Sequence, residues 1–203
     1  MTAVVNEPPL TLEAHMMWEA QQRERHEFFA GEVYAIVGAR VTHDTIALNI
    51  AVALRDVLRD TSGRVFISDM QLHVASVDAS FYPDVFVRCD SRDRTADTEL
   101  VQRHPHWVVE VLSDSTAAID RGPKVEAFRS LETPEAYLHV EKDRPHADLF
   151  VRNAEGLWAL NPAGKGGTLT IASLAAELSM AAVYECVAFE VRANAGGSGT
   201  SPG

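Results

Sequence analysis

Two short apolar runs each carry one acid in a place where an acid is expensive. Phe81-Tyr82-Pro83-Asp84-Val85-Phe86-Val87 and Trp107-Val108-Val109-Glu110-Val111-Leu112 are rich in β-branched and aromatic residues and are bounded by turn-forming Asp, Ser, His and Pro, the pattern of short buried strands. Burying an ionised carboxylate costs several kcal/mol unless a charge or a metal compensates it. Two such acids on neighbouring core strands therefore ask for a shared cation, and Mg²⁺ suits carboxylate oxygens.

The chain of 203 residues suffices for one domain with a full core and is short for two. Residues 1–11 read as a leader, 12–190 as the domain and 191–203, rich in Gly and Ser, as a disordered tail. No window approaches the roughly 18 apolar residues of a membrane span. The first ten residues lack the basic and apolar regions of a signal peptide, and Cys89 and Cys186 stand far apart, which together predict a reducing cytoplasm without disulfide framework or zinc site. The net charge of −11 weighs against broad affinity for phosphate backbones. Nucleic-acid binding is expected to be weak or confined to a local basic groove, for which Arg88, Arg92, Arg94, Arg103, Arg121, Lys124 and Arg129 are the candidates.

The periodicities predict a short helix over Leu12 to Gln22 with Thr11 as N-cap, then a hairpin of His26 to Phe29 and Val33 to Val37 turned by Ala30-Gly31-Glu32. A long helix follows over Thr42 to Arg59, its apolar stripe made by Ile46, Ile50, Ala53, Leu54, Val57 and Leu58. Val65 to Ser68, Leu72 to Ala75, Phe81 to Val87 and Trp107 to Leu112 are expected to form the core sheet. A helix over Arg121 to Leu131, capped by Asp120 with Pro123 in its first turn, leads to strands at Ala136 to Val140, His146 to Val151, Leu157 to Leu160 and Thr168 to Ile171. Ala175 to Tyr184 is read as a weak, broken helix.

The order of acid on a strand, acid on the next central strand, and lysine on the following helix matches the needs of phosphodiester hydrolysis. A divalent ion polarises the phosphoryl oxygen and acidifies a water, and a lysine orients that water or offsets developing charge. Asp84 and Glu110 would be metal ligands and Lys124 the lysine.

Tyr82-Pro83-Asp84-Val85, Val108-Val109-Glu110-Val111-Leu112-Ser113-x-Ser115-Thr116, Asp120-Arg121-Gly122-x-Lys124 and Glu135-Ala136-Tyr137-Leu138 resemble the Uma-two restriction-endonuclease family, within the PD-(D/E)xK nuclease superfamily. Glu27-Phe28-Phe29-Ala30-Gly31-Glu32-Val33, His43 and the strand Gly63 to Met70 extend the resemblance over Leu12 to Val187. It implies an α/β (α+β) fold with a restriction-endonuclease-like central mixed β-sheet flanked by helices. It further implies Mg²⁺ or Mn²⁺ as cofactor, DNA as substrate, a homodimer, and the backbone carbonyl of Val111 as a further metal ligand. The superfamily's lysine usually stands two residues after the second acid, where this chain has Leu112; the resemblance gives that role to Lys124, migrated onto the adjacent helix, with Glu32 and His43 as accessory residues.

Blander readings stand beside these. Asp84 could be a turn acid or pair with one of the arginines, and Glu110 could form a buried ion pair with Lys124 in a catalytically silent binding module or a purely structural protein. Ser113, Ser115 and Thr116 are read as satisfying loop and helix-start N–H groups. His104, His106, His139 and His146 have no spacing that makes them ligands.

Overall fold

The computed structural model describes residues 11–36, 41–89, 101–113 and 116–189. Its centre is a six-stranded sheet ordered β11-β10-β9-β8-β6-β3, built from β3 (Arg64–Ile67), β6 (Val85–Arg88), β8 (Pro105–Leu112), β9 (Ala136–Glu141), β10 (His146–Arg152) and β11 (Trp158–Gly164). Only the β8–β9 neighbours run parallel, so the sheet is mixed, and the helical segment between those strands supplies the crossover that a parallel pair needs.

Each face of this sheet has its own apolar cluster. Odd-numbered residues of β8, Trp107, Val109 and Val111, pack with Ile46, Ile50, Leu54 and Leu58 of the long helix α2 (Val41–Val57) and the turn that ends it. The opposite face places Val108 and Tyr137 against Phe81, Val125 and Phe128. That second cluster is closed by a five-stranded sheet, ordered β2-β1-β5-β4-β7, of β1 (His26–Phe29), β2 (Glu32–Ala35), β4 (Gln71–Val74), β5 (Ala79–Phe81) and β7 (Val101–Gln102).

The expected single core sheet is thus divided between two sheets, and the reason lies at Tyr82-Pro83. Proline has no N–H for a ladder, so Phe81 to Val87 is not one strand: the chain leaves one sheet at Phe81 and enters the other at Val85. Leu72 to Val74 stays with the second sheet, pairing β5. In the first hairpin the turn is tighter than expected. Ala30 and Gly31 both take positive φ, 52° and 84°, the two-residue geometry that matches strand twist, so β2 begins at Glu32. The expected end of this strand, Val37, lies outside the described residues.

Thr11 caps α1 (Leu12–Glu19), its Oγ1 accepting the Ala14 N–H at 3.2 Å. Strand β11 runs to Gly164 through Pro162, which an edge strand tolerates. The expected helix at Ala175 to Tyr184 is instead β13 (Ala176–Ser179), paired with β12 (Thr168–Ile171), followed by α5 (Met180–Val183), which Ser179 caps. Helical propensity there yields to strand pairing.

The helix after β8 begins earlier than expected. α3 (Ala117–Ile119) continues through a π-helical turn at Asp120–Lys124 into α4 (Val125–Ser130), which places Pro123 inside the run. Proline cannot donate to the preceding turn, and the widened turn accommodates it. Asp120 is therefore not the N-cap but an interior residue with a buried side chain. Among the described residues no helix is long and apolar enough to cross a membrane.

Candidate functional site

β6 and β8 pair antiparallel with Val85 opposite Val109, and continuing that register by one residue sets Asp84 opposite Glu110. The acids singled out by the sequence are thus cross-strand neighbours at one end of the central sheet. Asp84 is fixed by its backbone and its side chain: its carbonyl accepts the Ser68 N–H at 3.2 Å and its Oδ2 accepts the Val111 N–H at 2.7 Å. His43, in the first turn of α2, brings Nε2 to 3.2 Å from the same Oδ2.

Glu110 points to the other face, into the seam between the two sheets. There the Lys124 ammonium sits 3.2 Å from Glu110 Oε1, 3.1 Å from Asp120 Oδ1 and 2.8 Å from Glu27 Oε1. All four side chains are nearly closed to solvent, at 2–4% exposure. The ammonium also stands 5.6 Å from the centre of the Phe81 ring. The lysine therefore does reach Glu110 from the helix, while Leu112 is buried.

Second contacts hold this cluster in place. Glu27 Oε1 accepts the Tyr82 N–H at 3.1 Å, and its Oε2 is buried without a hydrogen-bond partner. The Asp120 carbonyl accepts the Tyr137 hydroxyl at 3.2 Å and faces His139 Nε2 at 3.1 Å, which requires that nitrogen to carry the ring proton.

The electrostatics follow from one cation among several acids. Burial pushes the Glu27 and Glu110 carboxyls up, against the pull of Lys124, with Glu110 the more strongly raised. Burial opposes the Lys124 charge, yet Glu110, Glu27 and Asp120 hold its pKa well above the ordinary lysine value. The ammonium stays charged and the surplus negative charge favours retention of a proton on the acids. For His43, burial disfavours the imidazolium, but Asp84 and then Asp44 raise its pKa overall.

Glu32 is not brought to this cluster. It is exposed, and its Oε2 accepts the Tyr34 hydroxyl at 2.6 Å. Glu27 and Asp120 are the members that reading the sequence missed as site residues. The signal at Glu27 is the one that marked Glu110, an acid inside a run with buried aromatic neighbours; the signal at Asp120 is its i, i+4 spacing to Lys124.

A hard divalent cation fits this donor set. The buried carboxylates outnumber the one ammonium, and Glu27 Oε2 is orphaned. Both described side-chain contacts of Asp84 engage Oδ2 rather than Oδ1. Among the described residues no group of three or more His, Cys, Asp or Glu side chains is arranged to hold a metal. A cation here would take two carboxylates and complete its sphere with carbonyl oxygen and water, as Mg²⁺ commonly does.

Of the basic candidates among the described residues, Lys124, Arg121 and Arg88 are engaged within the protein. Lys124 is enclosed by acids, Arg121 pairs with Glu141, and Arg88 is buried, donating to Gln102 at 2.9 Å. Arg92 and Arg94 lie outside the described residues.

Comparison with known proteins agrees with this architecture. A family model described as Uma2, putative restriction endonuclease, matches residues 12–183. The uncharacterized protein slr1290 of Synechocystis is 31% identical over 182 residues, covering 90% of this chain and 95% of that protein. A second Synechocystis protein, sll1609, also uncharacterized, is 28% identical over 160 residues, or 79% of this chain and 90% of its own. Among solved structures, the crystal structure of a putative nuclease belonging to DUF820 from Anabaena variabilis superimposes with a TM-score of 0.74 at 14% identity, covering 89% of this chain and 100% of that one. The fold is that of the nuclease-like neighbour.

Proposed function

The chain belongs to the Uma2 family of putative restriction endonucleases, and from that membership we propose that it is a metal-dependent endonuclease that hydrolyses phosphodiester bonds in DNA. The observation that supports the reading is the register that sets Asp84 opposite Glu110 at one end of the central sheet, with Lys124 delivered to Glu110 from a helix. Asp84 and Glu110 would hold Mg²⁺ or Mn²⁺, with the Val111 carbonyl as a further ligand. Such an ion supplies Lewis acidity toward the phosphoryl oxygen and lowers the pKa of a bound water.

The chain's own residues do the rest. His43 and the Val111 N–H both grip Asp84 Oδ2, which fixes the carboxylate plane. Lys124 keeps its proton and is positioned by Glu27 and Asp120, so that its ammonium can orient the attacking water or offset charge on the phosphate. Double-strand cleavage by this class of enzyme commonly uses two centres, and by that analogy the active form is read as a homodimer.

The test is cleavage of supercoiled plasmid at low salt with Mg²⁺ or Mn²⁺, comparing wild type with Glu110→Gln and Lys124→Met after circular dichroism has shown each to be folded. Nicking that needs metal and vanishes in both variants is expected; equal cutting by Glu110→Gln would sink the assignment. One observation favours a second reading, a silent binding module: the Lys124 cluster is buried, and its ammonium already stands where a cation shared by Glu27, Glu110 and Asp120 would be. Calorimetric titration with Mn²⁺ separates the two, since the silent module takes up no metal at this site.

A further inference from the structure

Beside the candidate centre, the same helical run that delivers Lys124 ends in a cation of a different kind. Arg129 of α4 lies across the aromatic residues of β10 and β11, its guanidinium carbon 5.3 Å from the Phe150 ring centre and 5.6 Å from that of Trp158. Arg152 joins from β10 at 5.7 Å from Trp158, and its Nη1 donates to the carbonyls of Leu131 and Glu132 at 3.2 and 3.0 Å. Among the described residues neither arginine forms an ion pair with a carboxylate, although the chain carries a net charge of −11. Arg129 Nε is buried without a partner, whereas its terminal nitrogens are neither bonded nor sealed from solvent.

The patch is also apolar. Phe150 and Trp158 are half-buried, and Leu157 and Leu160 next to them are 66% and 52% exposed. Behind it the patch is backed by the core: buried His139 is in edge contact with Tyr137 at 4.6 Å and with Phe150 at 5.7 Å. Uncompensated arginine charge interleaved with partly exposed aromatic rings is the chemistry that holds a strand with unpaired bases, phosphates taking the guanidinium and base faces the apolar surface. A duplex, whose bases are stacked away, would have less use for the apolar part.

We infer that Arg129, Arg152, Phe150 and Trp158 form a binding surface for single-stranded nucleic acid. The choice of partner rests on the nuclease reading, but its test does not require cleavage. Fluorescence anisotropy of a labelled oligothymidylate, in EDTA and over a series of salt concentrations, reads binding alone. Wild type is expected to bind the oligomer more tightly than a duplex of equal length. Arg129→Gln should lower the slope of log K against log salt by about 0.7, the loss of one phosphate contact, while Arg129→Lys retains it. Trp158→Ala should weaken binding by at least about fivefold.

Thermal melts confirm folding, and Arg129→Lys serves as the variant that keeps both charge and structure if Trp158→Ala does not fold. Wild-type affinity and slope in Arg129→Gln, tighter binding of duplex, or no binding by wild type would each overturn the inference. Plasmid cleavage, run in parallel, judges the nuclease reading separately: binding with the expected slope loss but no cutting under either metal upholds this surface and removes that reading.

Discussion

Lys124 is worth most to the protein as a counter-ion. Its removal leaves Glu27, Glu110 and Asp120 buried together with nothing between them. Lys124→Met is therefore expected to lower unfolding free energy by about 3–5 kcal/mol in urea titrations. Glu110→Gln takes one charge from a surplus and should cost clearly less; a loss as large as that of Lys124→Met would contradict the charge balance drawn above. His73 gives a second prediction. Burial, with help from Arg103 and His15, holds its pKa down to about 4 from an ordinary 6.5. The unfolded chain then takes up a proton that the folded chain refuses, so this stabilisation is complete above about pH 6.5 and is lost as pH falls toward 4. It amounts to about 3 kcal/mol at most, and His73→Gln should flatten the decline of Tm across that window; an unchanged pH profile would refute it. At this scale the sequence displays Asp84, Glu110 and Lys124 as candidates, because an acid in an apolar run and a lysine on the next helix are local patterns, whereas His43 is supplied by the resemblance alone. Glu27 carries the same local mark as Glu110, but its place beside Lys124 depends on a second sheet folding over the first, which the run itself does not record.

Elements are legible in proportion to how far their own periodicity decides them. Helix α2 is read from its stripe alone, and Ile46, Ile50 and Leu54 are buried as that stripe requires. What ties α2 to the end of the domain is not periodic: Asn49 Nδ2 donates to the carbonyls of Val183 and Glu185 at 3.1 and 2.9 Å. Asn49→Ala should therefore cost about 1–2 kcal/mol by chemical denaturation, two ordinary hydrogen bonds on a half-exposed residue; a neutral effect would mean that water replaces both. Strand β13 is illegible because only its partner β12 makes it a strand. The π turn at Asp120–Lys124 is illegible for a related reason. A proline within a helical pattern is read as a start, and here the helix continues past it while the Asp120 carbonyl is taken by Tyr137 and His139.

At the scale of the whole molecule, the candidate centre lies where the two sheets meet. A cation bound there by the folded chain alone stabilises the fold by mass action, about 2.7 kcal/mol at a hundredfold excess over Kd. Mg²⁺ or Mn²⁺ should raise the Tm of wild type, and neither should do so for Asp84→Asn or Glu110→Gln; an equal rise in these variants would place the metal elsewhere. The division into two sheets is hidden from local reading because a single proline, Pro83, redirects the chain between them. That seam also orders events in time. A ribosome makes Glu27, Asp84 and Glu110 well before Lys124, and the β9 strand that carries Tyr137 and His139 comes later still. Until those residues emerge, the acids lack the cation that they share in the folded chain. A chain interrupted during synthesis, or clipped before β9, therefore lacks the assembled centre, and with it whatever chemistry that centre performs.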